Sequence, residues 1–192
     1  MKKFLLVLFS VLIVAVIAVV LWVIGVYNSL VAMDVKIDES WSQVEVQYQA
    51  RADKIPNLVA TVKGVANFEK ETYEAVTAAR SAWAQAKDTG TRSEQIAAAN
   101  SFDSAISRLL VTVENYPALK AQENFLTLQA QIEGIENRIA VARRDYNSVV
   151  SPYNAKIRTF PTVFIAPLFG FDQEAFFESA EGSEKAPTVD FN

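Results

Sequence analysis

The sequence predicts an all-α fold: an N-terminal transmembrane helix, an antiparallel bundle of three to four long helices, and an irregular aromatic C-terminal tail. Three observations predict it. An uncharged apolar run fills residues 4–26, and apolar residues recur at three- and four-residue spacing over most of residues 27–154. The 192-residue chain holds only 6 Gly and 6 Pro, too few turn formers for an all-β or loop-rich fold. With 51% hydrophobic and 21% charged residues, most of the chain has enough apolar surface to order itself.

The first element reads FLLVLFSVLIVAVIAVVLWVIGV, broken only by Ser10 and Gly25. As a helix rising ~1.5 Å per residue it reaches about 35 Å, enough for a hydrocarbon core of ~30 Å. A cleaved signal peptide is the competing reading. Its apolar core is shorter, about 7–15 residues, and Val23-Ile24-Gly25 is a poor cleavage site. Lys2 and Lys3 precede the run, whereas Asp34, Lys36, Asp38 and Glu39 follow it. The excess of positive charge before the run places residues 1–3 in the cytoplasm and everything after the span outside it. Of 18 basic residues two precede the span; the other 16 face 22 acidic ones, a net of −6 with no general attraction for nucleic acid.

The bundle is expected over residues 27–155. Ile37, Trp41, Val44 and Tyr48 form one stripe; after a slip, Ile55, Leu58, Val62 and Val65 continue it. Nothing interrupts the chain between the span and Ile55, so the membrane helix can run straight into the first bundle helix. Pro56 lacks a backbone donor and is expected to kink or restart that helix. It then resumes through Phe68, Tyr73, Val76 and Ala79 and ends near Lys87. Asp88-Thr89-Gly90-Thr91 reads as a turn with Gly90 at positive φ, and Ser93-Glu94 as the next helix start. Ile96, Ala99, Phe102 or Asp103, Ile106, Leu109 and Val113 make the following stripe. Tyr116-Pro117 closes it, because the residue before Pro avoids the α region. In the last helix Phe125, Leu128, Ile132, Ile135, Ile139, Ala142, Tyr146, Val149 and Tyr153 alternate three- and four-residue steps, as in a bundle or coiled-coil seam.

The tail, residues 156–192, changes character. Phe160, Phe164, Phe169, Phe171, Phe176, Phe177 and Phe191 crowd it, and Pro152, Pro161, Pro167 and Gly170 forbid one long helix. From Phe160 to Phe171 there is no charge. Three readings stand open: the tail packs over its own bundle, contacts a second copy, or dips into the membrane interface. Residues 182–187 read as loop, and Val189-Asp190-Phe191 as an edge strand or a docking end.

The chain has no Cys and no His. That removes thiolate and imidazole chemistry, disulfides and the commonest transition-metal ligands. No catalytic, cofactor-binding or metal-binding residue is assigned, and no cofactor. Two charged clusters remain. Arg51 and Asp53, beside Pro56 and Asn57, read either as an ion pair lining a cleft or as a polar joint. Glu136, Arg138 and Arg143, with Tyr146 and Asn147, read as a structural network, because each acid there has an Arg within helical reach. An enzyme using carboxylates alone would need Glu133, Glu136 or Asp145 free of such partners. The Ala-rich stretch through Ala78 and Ala82 suits close helix packing, internal or between copies.

Several motifs in order resemble the LemA family. They are Tyr27-Asn28-Ser29-Leu30-Val31, Trp41-Ser42-Gln43-Val44, Arg51-Ala52-Asp53-Lys54-Ile55-Pro56-Asn57-Leu58-Val59, Glu114-Asn115-Tyr116-Pro117-Ala118-Leu119-Lys120-Ala121, Glu123-Asn124-Phe125, and Glu136-Asn137-Arg138-Ile139-Ala140 with Ala142-Arg143-Arg144. Tyr146-Asn147, Phe160-Pro161, Phe169-Gly170-Phe171 and Val189-Asp190-Phe191 complete them. The likeness runs over essentially the whole chain. Lys54 stands where the family usually carries Leu, and Phe68 where it often carries His. The resemblance implies a bacterial membrane protein with an N-terminal anchor, a helical bundle and no established catalytic activity. The expectation is a non-enzymatic scaffold, bound to membrane lipid through its first helix, self-associating as a homo-oligomer. An adaptor or regulator of a membrane protease or envelope stress system is the other reading, with a membrane-protein partner.

Overall fold

In the computed structural model, residues 2–65 and 69–178 are described. Among them are five α-helices, two short 3₁₀ turns and no strand: α1 (Lys2–Lys63), α2 (Lys70–Thr89), α3 (Arg92–Val113), α4 (Pro117–Lys120), α5 (Glu123–Arg158), and turns at Thr162–Phe164 and Ala166–Phe169. Phe68, residues 182–187 and Val189-Asp190-Phe191 lie outside the described residues.

The first helix is 62 residues long, about 93 Å at ~1.5 Å per residue. Most of its apolar stretch is uncovered by the rest of the protein, and only its end, at Val26, begins to pack against the core. From Leu30 onward one face turns inward, and Ile37, Trp41, Val44, Tyr48, Ile55, Leu58 and Val62 are all buried. Pro56 does not break it; the helix passes through and stops at Lys63. The physical reason is across the helix pair. Proline's missing N–H would have donated to the Ala52 carbonyl. That carbonyl instead accepts the Arg80 Nε–H from α2 at 2.9 Å. The fourth long helix therefore arises from the break after Lys63.

Four long helices then alternate in direction. Helix α2 returns along α1, with Trp83 against Tyr48, rings 4.7 Å apart. The turn to α3 is tighter than expected. Gly90 has φ −86°, and glycine is needed there for room: a Cβ would lie 2.6 Å from the Ala86 carbonyl oxygen. Helix α3 starts one turn-residue earlier than the Ser93-Glu94 reading. Thr91 caps it, its N–H donating to Glu94 Oε2 at 2.7 Å and its hydroxyl facing the Glu94 N–H. Pro117 opens the short α4 at a position where a missing donor costs nothing.

Helix α5 runs antiparallel to α1 and, despite Pro152, to Arg158, beyond the expected bundle boundary. Its seam is buried at Phe125, Ile132, Ile135, Ile139, Ala142, Tyr146 and Tyr153, while Val150 takes the inward place expected for Val149. A straight helix drifts off a strict seven-residue repeat, and here the drift appears in the last turns.

The α2–α3 turn does not reach the membrane end. Arg92 at its exit bonds Asp38 at 2.8 Å and lies over the Trp41 ring at 4.5 Å. Below that level only α1 and α5 continue. The tail fills the gap: after the two 3₁₀ turns and Gly170 at φ +78°, residues 171–178 climb back along both helices as an extended strap.

Candidate functional site

Two polar arrangements stand out, one inside the bundle and one under the strap. The first is centred on Arg51, only 1% exposed. The apparent slip in the α1 stripe is its signature. The inward positions Ile37, Trp41, Val44, Tyr48, Arg51, Ile55, Leu58 and Val62 keep a regular alternation of four- and three-residue steps. Arg51 thus occupies a core position. It does not pair with Asp53, which stays on the surface and accepts from Gln49 Nε2 at 2.8 Å. Its guanidinium instead reaches two other helices, bonding Asp103 of α3 and Glu136 of α5. It also lies over the rings of Tyr48 and Phe102, at 5.4 and 5.5 Å.

Arg143 completes the network. It pairs with Asp103 and donates to the Tyr48 hydroxyl. Tyr48 in turn donates to Asp103, 3.0 and 3.1 Å from its two oxygens. Burial first, and the Asp103 carboxylate second, raise the Tyr48 phenol well above its usual value, so it stays protonated and serves as a donor. Two cations, two anions and one phenol close on one another across three helices. Arg51 and Arg143, which the sequence reading places in two separate clusters, share Asp103 here.

The second arrangement fastens the strap. Asn154 accepts the Glu174 N–H at 3.0 Å and donates to the Glu174 carbonyl at 2.8 Å. Seven residues earlier on the same face, Asn147 makes the same pair with Phe177, at 3.0 and 2.7 Å. Each amide thus satisfies both backbone groups of one strap residue, which has no sheet neighbour to bond. The Tyr146 hydroxyl donates to the Ala175 carbonyl at 2.9 Å. Phe177 stacks on Trp41 at 5.7 Å, under the Arg143 guanidinium at 4.5 Å. Burial is the main cause that raises the Glu174 and Asp34 carboxyls, with Arg92 opposing it in both. The Tyr153 phenol is pushed up to about 12 by burial, then by Asp34, Glu174 and Asp172.

The remaining candidates scatter. Asn57 is exposed, its carbonyl accepting from Thr61, and Pro56 lines a shallow surface groove with Val59 and Arg80. Tyr116 and Pro117 form the α3–α4 joint. Arg138 reaches Gln47 across the surface at 3.1 Å. Glu133 accepts from Gln129 and Asp145 from Arg144, both on the exposed face. The tail divides: Phe177 is buried, Phe171 and Pro161 are half-covered, and Phe160, Phe164 and Phe169 stand exposed. Ala75, Ala78 and Ala82 line an open groove of about 660 Å³ between α2 and α3. Among the described residues no three Asp or Glu side chains are grouped as metal ligands would be. Sequence reasoning missed Asp103, Arg92, Asn154 and Glu174 as partners. A charge on the α1 seam and two Asn seven apart beside the α5 seam were the available signals.

These features define a class: a membrane-anchored antiparallel helical bundle, crossed by a charge network around one buried Arg and closed near its anchor by an extended C-terminal strap. The chain belongs to the LemA family, whose family model matches residues 40–191. It is similar to Protein LemA of Metamycoplasma hominis, 27% identical over 180 residues that cover 94% of this chain and 80% of that protein. It is also similar to Magnetosome protein MamQ 2 of Paramagnetospirillum magneticum and Magnetosome protein MamQ of Magnetospirillum gryphiswaldense, at 25% and 24% identity. Each of those matches covers 79% of this chain but spans only 64% of the magnetosome protein's length. The uncovered apolar helix and the family together make this a membrane protein.

Proposed function

We propose that this chain is a non-enzymatic scaffold, a single-pass protein of the bacterial inner membrane that assembles at the membrane surface. The observation that carries the reading is the continuity of α1. One helix runs from the apolar stretch into the bundle core as far as Lys63. The bundle's height and tilt are therefore tied to the anchor, where a flexible linker would leave them free. The acids and bases of the core support the same reading, because Asp103 and Glu136 are committed to Arg51 and Arg143. Lys2 and Lys3 favour a cytoplasmic N-terminus and an extracytoplasmic bundle. Copies would meet through the sides of the bundle, the Ala-lined groove between α2 and α3 among them.

Mild detergent extraction followed by mass measurement of the intact complex tests the assembly. A multiple of the 21.2 kDa chain is expected. One copy bound to one stoichiometric foreign membrane protein would replace the scaffold by the adaptor reading. Orientation is read separately. The chain has no Cys, so Val111→Cys, exposed on α3, is the single label site. It should react with an impermeant thiol reagent in intact spheroplasts; reaction only after lysis would invert the topology.

A further inference from the structure

We propose that the aromatic elbow at residues 160–169 inserts into the lipid interface of the bilayer that holds α1. The inference rests on residues 4–26 being the span, and it adds a second, independent lipid contact.

Height is the first argument. Lys156 Nζ bonds Ser29 Oγ, and α5 is antiparallel to α1. Two residues further on, at Arg158, α5 ends, level with Tyr27, the first residue beyond the span. The elbow follows at once. Its rings confirm the level: Tyr27 meets Phe169 at 5.2 Å and Phe171 at 5.7 Å, both edge-on. Aromatic side chains at that depth suit the boundary between headgroups and acyl chains.

Direction is the second. Thr162 and Ala166 are buried against the bundle. Phe160, Phe164 and Leu168 point the other way and are 81%, 69% and 80% exposed. So much apolar surface within nine residues contrasts with Phe177, which the same tail buries a few residues later. Surface of this kind marks a contact that the isolated chain lacks.

Chemistry is the third. The stretch from Phe160 to Phe171 carries no charge, and the exposed Arg158 stands just before it. Long basic side chains at the boundary can reach lipid phosphates while apolar neighbours go deeper. The elbow's backbone is already largely paired. Val163, Ile165, Leu168 and Gly170 donate within it or to its flank, at 2.9, 2.9, 3.0 and 3.2 Å. Few amides would lose water without a partner on entering the interface.

The test uses the full-length chain in liposomes of phosphatidylcholine and phosphatidylglycerol. The absence of Cys permits one label per variant: Phe164→Cys, Leu168→Cys, Val14→Cys within the span and Val111→Cys far from it. An environment-sensitive fluorophore is challenged with lipids carrying nitroxide near the headgroup or deep in the chain, and with aqueous iodide. At Phe164 and Leu168, shallow nitroxide should quench several-fold more than at Val111, and more than deep nitroxide does. Val14 should show the reverse depth preference. Iodide quenching at Phe164 and Leu168 equal to that at Val111, with Val14 still in lipid, would overturn the elbow contact alone. Shielding from both lipid and iodide would mean a second copy covers the elbow and would overturn it too. Iodide access at Val14 would sink the span and the elbow together.

Discussion

The two halves of the bundle solve the same problem with different chemistry. Away from the membrane, the long helices enclose Arg51, and its partners Asp103, Glu136 and Arg143 lead from it out to a part-exposed surface. Near the membrane only α1 and α5 remain, and a non-helical strap covers them through amide-to-backbone pairs and one stacked Phe. A buried ion network stabilises little against an apolar core of the same shape, yet removing one member leaves uncompensated charge. It therefore selects register. The strap needs no register code of its own, because Asn147 and Asn154 bond main-chain groups that every residue has. The distal half should thus be intolerant and cooperative, and the proximal half local and adjustable.

Breaking the distal half should have the largest effect. Arg51→Ala empties a fully buried position that held a large side chain and takes the cation from Glu136, while Asp103 keeps Arg143; it should cost about 3–5 kcal/mol, most of it from lost packing. Chemical unfolding would show it; a loss of the size seen for a surface Arg would mean the network is only decorative. Next comes the seam. Ile139, buried on α5, should lose about 2–5 kcal/mol on truncation to Ala. Arg144→Ala should change stability by about 0.5 kcal/mol or less, since its pair with Asp145 is exposed. Equal thermal shifts for these two would refute the α5 register.

The strap should respond more weakly and more locally. Asn154→Ala unpairs the Glu174 N–H and carbonyl, and about 1–3 kcal/mol of docking should go with them. Amide exchange should rise at residues 171–178 while the α3 core stays protected. A global loss of protection would show that strap and bundle fold as one unit and would erase the contrast between the halves.

The smallest effect expected is one of pH. The Glu174 and Asp34 carboxyls are raised in the folded state, chiefly by burial. A raised carboxyl favours the protonated form, so its penalty is complete above the raised value and gone below the ordinary one. The strap should therefore hold more tightly as pH falls from neutral toward the ordinary carboxylate range. Exchange at Phe177, corrected for its intrinsic pH dependence, measures this, and Glu174→Gln should flatten the response. Loosening over that range would show that the ion pair of Arg92 Nε with Glu174 Oε2, 3.6 Å apart, outweighs burial.

Much of what depends on neighbours along the chain was legible in the sequence, although the conformation of Gly90 and the cap at Thr91 were not. The uncharged stretch, the inward faces of α1, α3 and α5, the stop at Tyr116-Pro117 and the family resemblance all follow from local spacing, because a helix places every third or fourth residue on one side. Arg51 lies on that same α1 seam, but the sequence reading takes its place as a slip between Tyr48 and Ile55. Its partners were not legible either. Asp103 and Glu136 lie 52 and 85 residues away, and only helix packing brings them to the same level. Packing likewise carried α1 through Pro56, since the carbonyl freed at Ala52 found Arg80 on another helix. It also sorted the tail, whose phenylalanines look alike in sequence. Phe177 is buried because α2 and α3 stop short and leave a gap beside Trp41, and Phe160 is exposed because α5 ends level with Tyr27. Local periodicity determines which face of a helix is apolar; the lengths of neighbouring helices determine what remains to be covered, and by what.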